Sequence, residues 1–70
     1  IIFTDMFGGT PSNISLSFFK KDLVEIISGV NLPMLIKAST LEKYESFEEA
    51  VKIISNSGKE NIIVAGDLNI

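Results

Sequence analysis

The stretch Thr4-Asp5-Met6-Phe7-Gly8-Gly9-Thr10-Pro11-Ser12-Asn13 joins an apolar run to an amphipathic one. Upstream of it, Ile1-Ile2-Phe3 reads as the end of a buried strand, because the run is short, continuous and β-branched or aromatic. Gly8 and Gly9 carry no Cβ, so they permit a tight turn and a close backbone approach. Thr10 suits a helix N-cap and Pro11 the first helical position, with Ser12 and Asn13 adding polar side chains to the first turn. The pattern is therefore a strand, an acid at its carboxyl end, a glycine turn and a helix N-terminus. In parallel α/β sheets that edge is where ligands bind, and helix N-termini favour anions. A phosphate-sized site with a carboxylate beside it is the expectation.

Working outward, Ile14, Leu16, Phe18 and Phe19 give a broad apolar face to a helix running from Pro11 to about Lys20. Asp22 breaks that pattern, and Leu23-Val24-Glu25-Ile26-Ile27 is the next strand. Strand, crossover helix and strand form a βαβ unit, expected to be parallel and right-handed. Ser28-Gly29-Val30-Asn31-Leu32-Pro33 then makes a second turn at the same carboxyl edge. Pro33 opens a helix over residues 33–43, with Met34, Leu35, Ala38 and Leu41 near helical spacing. Ser46-Phe47-Glu48-Glu49 is a capping-box pattern. Phe47, Ala50, Val51 and Ile54 mark the buried stripe of the helix it starts, and Gly58 is the expected stop. Ile62-Ile63-Val64-Ala65 reads as a last strand, ended by Gly66-Asp67.

Composition narrows the function classes. The 70 residues make one small domain, and a chain of about 60 residues buries only about 60% of its unfolded surface. The hydrophobic content of 46% is high for that size, which fits part of a buried-sheet protein or one that hides apolar surface in an oligomer. The chain opens on Ile1 inside an apolar run, and the expectation is a piece of a longer protein. Cysteine is absent, which excludes disulfides and thiolate metal sites. A net charge of −3, with six lysines spread along the chain, argues against a nucleic-acid surface. Lys20-Lys21 reads as a solvated helix end complementing the dipole. No apolar run approaches the roughly 20 residues that span a bilayer. The absence of His removes the commonest acid/base group.

Asp5 has several readings. A carboxylate there can orient a histidine by accepting one ring N–H, hold a metal, accept a ribose hydroxyl, or simply bond its own turn backbone. The Gly8-Gly9-Thr10-Pro11 turn is neither G-x-G-x-x-G nor a Walker A loop, since no Lys-Ser/Thr pair follows the second glycine. What remains is a smaller anion, such as one phosphoryl group, met by the Thr10 hydroxyl and first-turn N–H groups. Asn31 is expected to tie the two turns together by hydrogen bonds. Glu42, Glu45, Glu48 and Glu49 read as a solvated helix face, and Phe7 as either exposed for a partner or packed under its loop.

Two stretches together resemble the mannose-family enzyme IIA domain of the bacterial sugar phosphotransferase system. They are Ile2-Phe3-Thr4-Asp5-Met6-Phe7-Gly8-Gly9-Thr10-Pro11-Ser12-Asn13 and Val24-Glu25-Ile26-Ile27-Ser28-Gly29-Val30-Asn31-Leu32-Pro33-Met34-Leu35. The pattern is D-x-x-G-G-[ST]-P-x-N after an apolar strand, then V-x-[VI]-I-[SA]-G-V-N-[LI]-P-M-L. The resemblance covers nearly all of residues 1–70 and corresponds to roughly the C-terminal half of that domain. It implies an α/β fold, a three-layer doubly wound and mainly parallel sheet, and a cytoplasmic homodimer reaching the membrane only through its transporter. It also implies phosphoryl relay in sugar uptake: phospho-HPr phosphorylates a histidine, which passes the group to a IIB component. By position, Asp5 matches the acid pairing with that histidine, Thr10 the Ser/Thr that helps hold the phosphoryl group, and Gly8 and Gly9 the turn that approaches it. Asn31 falls in the matching second loop. No cofactor or metal is implied.

The departure is the histidine itself. The family carries it near the end of the first strand, and these 70 residues contain none, so alone they are expected to carry no phosphate. The competing expectations are a non-catalytic sensor or dimerisation module of the same fold, and a stand-alone small-anion-binding domain. The strand at Ile1–Thr4 would be an exposed apolar edge in this chain, with low stability as the consequence. Ile62–Ala65 is the expected dimer segment.

Overall fold

A computed structural model describes residues 1–68. Its sheet is a single parallel pair, β1 (Ile2–Thr4) and β2 (Ile26–Ser28), in the register Ile2–Ile26, Phe3–Ile27 and Thr4–Ser28. The ladder extends one step beyond each end through Ile2 N–H to the Glu25 carbonyl at 2.8 Å and Val30 N–H to the Thr4 carbonyl at 3.0 Å. The two strands are thus aligned at their carboxyl ends, as the βαβ expectation requires.

Between them lies α1 (Thr10–Leu16), shorter than expected. The chain past Leu16 tightens into i→i+3 bonds, from Phe18 N–H to the Ser15 carbonyl and from Phe19 N–H to the Leu16 carbonyl. Serine hydroxyls explain the loosening, since Ser15 Oγ donates to the Pro11 carbonyl and Ser17 Oγ to the Ile14 carbonyl, each at 2.8 Å. A tight turn with an antiparallel bridge between Lys20 and Val24 follows, and Asp22 takes the left-handed conformation there at φ 64°. Asp tolerates that region better than most residues. The turn consumes Leu23 and Val24, so β2 starts at Ile26 rather than Leu23.

α2 (Leu32–Thr40) and α3 (Phe47–Glu60) follow and pack together. Pro33 is the second residue of α2 rather than its opener, and the helix stops at Thr40, short of residue 43. Ser46 caps α3 as expected, with Glu49 N–H donating to its Oγ at 3.1 Å. The Glu49 carboxylate reaches one residue further back than a capping box does, accepting Glu45 N–H at 2.8 Å. Gly58 does not stop α3. It is buried inside the helix, on a stripe with Ala50 and Ile54. A Cβ there would collide with Met34 Cε and lie 2.6 Å from Met34 Cγ, so the glycine makes room for α2.

Successive strand side chains point to opposite faces. Phe3 and Ile27 face α2 and α3, where Ile27, Met34 and Ile54 form the buried cluster with Val30, Ala38, Leu41 and Val51 around it. Thr4 and Ser28 face the other way, toward Ser12 of α1. Ser12 is the one buried residue of α1. Ile14, Leu16, Phe18 and Phe19, expected to cover the sheet, are all exposed. Two strands of three residues, spaced about 4.8 Å apart, are too narrow to underlie that face.

Ile62–Ala65 does not form a strand. Ile62, Ile63 and Val64 are exposed and without ladder partners among the described residues, and Ala65–Asp67 is a 3₁₀ turn. Strand propensity is local, but a ladder needs a neighbouring strand, and among the described residues β1 and β2 pair only with each other.

Candidate functional site

The parallel register brings two segments to one edge: Asp5 to Asn13 after β1, and Gly29 to Asn31 after β2. Asp5 is the first residue beyond β1 and is exposed. The chain then turns, with Gly9 N–H donating to the Met6 carbonyl at 3.2 Å. The two glycines have different physical reasons. Gly8 sits at φ +87°, which favours a residue without Cβ. Gly9 has an ordinary φ of −73°, but a Cβ there would meet the Met6 carbonyl at 3.3 Å.

Gly9, not Thr10, is the N-cap of α1. Its carbonyl takes the first helical bond from Asn13 N–H at 2.9 Å, while Asn13 Nδ2 donates to the Gly8 carbonyl at 3.3 Å. Thr10 moves one place inward, to the first helical position beside Pro11, and makes no capping bond. Its exposed side chain is therefore not committed to the helix end. Pro11 has no N–H, and the Thr10 and Ser12 N–H groups have no backbone acceptor among the described residues. Ser12 is fully buried, whereas Thr10 is exposed.

Asn31 does not join the two turns. Its Oδ1 accepts Met34 N–H at 3.3 Å, capping α2, and its Nδ2 donates to the Gly58 carbonyl at 3.1 Å. The residue spends both ends of its amide on α2 and α3. What does join the turns is a set of hydroxyls that the sequence did not single out. Thr4 Oγ1 lies 2.7 Å from Ser28 Oγ, which lies 3.2 Å from Ser12 Oγ. The only sequence signal was a hydroxyl residue at the end of each apolar strand, and the pairing register was needed to bring them together.

Phe7 is exposed beside Met6 on the turn and does not pack under its loop. The cleft between Phe19 and Phe47, about 440 Å³ and lined also by Asp22, Glu25 and Val51, lies at the amino end of β2, away from this edge. No helix among the described residues is long and apolar enough to cross a membrane.

In open α/β sheets ligands bind outside the carboxyl ends of the parallel strands, and Asp5 and the glycine turn lie at that edge here. Residues 1–55, which contain that whole edge, match the family model EIIA-man, described as the PTS system fructose IIA component, and the chain belongs to this family. It is 26% identical over 68 residues to the PTS system fructose-specific EIIA component of Bacillus subtilis (strain 168). The alignment takes in 96% of this chain and 47% of that protein, so the chain spans about half the length of the relative it matches. No solved structure matches the chain.

Proposed function

We propose that these residues form part of a phosphoryl-relay domain in sugar uptake by the phosphotransferase system. The observation that carries the reading is the family match over residues 1–55, which spans both segments of the carboxyl edge. In this reading the phosphoryl group comes from phospho-HPr and rests on a histidine supplied by a part of the domain outside residues 1–70. It then passes to a IIB component. A ring nitrogen of that histidine attacks phosphorus with its lone pair. The P–N bond to the donor breaks, and the electron pair returns to the donor nitrogen. Asp5 accepts the N–H of the other ring nitrogen, which fixes the tautomer and offsets the positive charge that develops on the ring. Thr10, through its hydroxyl and amide, and the Gly8–Gly9 turn meet the phosphoryl oxygens. Asn31 supports the second loop.

The complete domain is, in this proposal, a three-layer doubly wound sheet. It works as a cytoplasmic homodimer with Ile62–Ala65 at the partner interface, and it meets the membrane only through its transporter. Replacing Asp5 with Asn in the full-length protein tests the site. Acceptance from phospho-HPr should fall by about 100-fold or more, since the analogous loss of an orienting carboxylate costs serine proteases about 10⁴ in kcat. An unchanged rate would remove Asp5 from the mechanism.

A further inference from the structure

One atom, Ser28 Oγ, contacts both ends of the segment that carries the proposed site. Thr4, immediately before Asp5, approaches it at 2.7 Å, and Ser12, two residues after Thr10, at 3.2 Å. Between those two anchors lie Asp5, Gly8, Gly9 and Thr10, and of these only Gly9 is even half-buried. Bonds within the segment, from Gly9 N–H to the Met6 carbonyl and from Asn13 Nδ2 to the Gly8 carbonyl, hold its own shape. They do not fix it to the sheet. The Val30 N–H bond to the Thr4 carbonyl fixes the Asp5 end alone. Attachment of the Thr10 end by hydrogen bonding runs through Ser12 to Ser28.

The two outer hydroxyls are shielded from water: Thr4 is 6% exposed and Ser12 is fully buried, while Ser28 between them is half-buried. Ser28 is the middle member, and its loss strands the hydroxyls at both ends without their partner. The strand register itself pairs Thr4 with Ser28, so the clasp is built from the sheet outward.

We infer that Ser28, with Thr4 and Ser12, is a positioning device: it sets the separation between the Asp5 carboxylate and the Thr10 turn across which a phosphoryl group is received. This rests on the phosphoryl-relay reading above. Ser28 touches neither the phosphoryl group nor the imidazole; it acts through the segment it holds. Misplacement of reacting groups by about 1 Å can cost about 100-fold in rate, so loosening one end of the segment should be visible in the chemical step.

The test uses the full-length protein and phospho-HPr. In S28A the limiting rate of phosphoryl acceptance should fall about 10-fold, with KM for phospho-HPr within about twofold of wild type, because no residue of the Asp5–Thr10 segment is changed. S28T, which retains the hydroxyl, should restore the rate. T4V/S12A/S28A removes all three hydroxyls and leaves none stranded, so it should be more stable than S28A yet just as slow. It also decides the matter where S28A does not fold. A folded S28A or triple variant with the wild-type rate overturns the inference, as does a loss in S28A that S28T does not restore. A wild-type protein that takes no phosphoryl group overturns the relay reading itself.

Discussion

At position 58 a single methyl group would set two well-measured effects against each other. Alanine is a better helix former than glycine by about 1 kcal/mol. The added Cβ, however, would lie against Met34 Cε and Cγ and 3.1 Å from Asn31 Oδ1, and overpacking of this kind costs about 1–3 kcal/mol. Gly58→Ala should therefore lower stability by about 1 kcal/mol in equilibrium urea unfolding. The sign should reverse in a Met34→Ala background, where the space is vacant and helix propensity dominates. The same change being stabilising in the wild-type background would show that α2 and α3 do not pack as closely as described. The site residues divide along similar lines. A tight turn at Gly8 and Gly9 leading into a helix at Pro11 follows from residue type and local spacing and was legible in the sequence, although the N-cap expected at Thr10 is Gly9. The space at Gly58 and the meeting of Thr4, Ser12 and Ser28 depend on residues distant in the chain, and no local pattern encodes them.

Elements carry their own logic, and Asn31 shows it. Its Oδ1 caps α2 while its Nδ2 bonds the Gly58 carbonyl of α3, so one side chain orients the second loop against two helices. Asn31→Asp keeps the capping acceptor but replaces the donor with a carboxylate oxygen facing a carbonyl. Asn31→Ala removes both bonds and introduces no repulsion. A lost N-cap costs about 1 kcal/mol and a hydrogen bond about 0.5–1.5 kcal/mol. Both variants should lose about 1–3 kcal/mol in urea unfolding. In Asn31→Asp the loss should come from the α3 contact, read as faster amide exchange near residue 58 with α2 still protected. Equal protection of both helices in Asn31→Asp would contradict the bridging role. Most elements were readable because their signals are local: the β-branched run before Asp5, Pro11 after the glycines, and Ser46 three residues before Glu49. The strand expected at Ile62–Ala65 had the same local signal, but strand formation there needs a neighbour to pair with. Helix α1 fell short for a different reason, since the Ser15 and Ser17 hydroxyls bond back to its carbonyls.

The whole molecule is wide open for its length. Its radius of gyration is 13.7 Å, against about 11 Å for a compact domain of this size, and one principal extent is only 15 Å. Among the described residues four hydrophobic ones are buried, Ile27, Met34, Ala50 and Ile54, whereas Phe18, Phe19, Leu23, Ile62, Ile63 and Val64 are all more than half exposed. Both outer edges of the β1–β2 pair lack a partner among the described residues, which leaves N–H and C=O groups available to another chain. Apolar surface on this scale drives association. Residues 1–70 prepared alone should therefore associate increasingly with concentration in sedimentation, bind a hydrophobic dye and unfold without a sharp transition. Ile63→Lys places a charge in the exposed apolar segment Ile62–Val64 and should shift that association toward smaller species, while leaving the α2–α3 cluster around Met34 and Ile54 intact. A monomer at every concentration with a sharp, high-temperature transition would mean that the four buried residues suffice as a core.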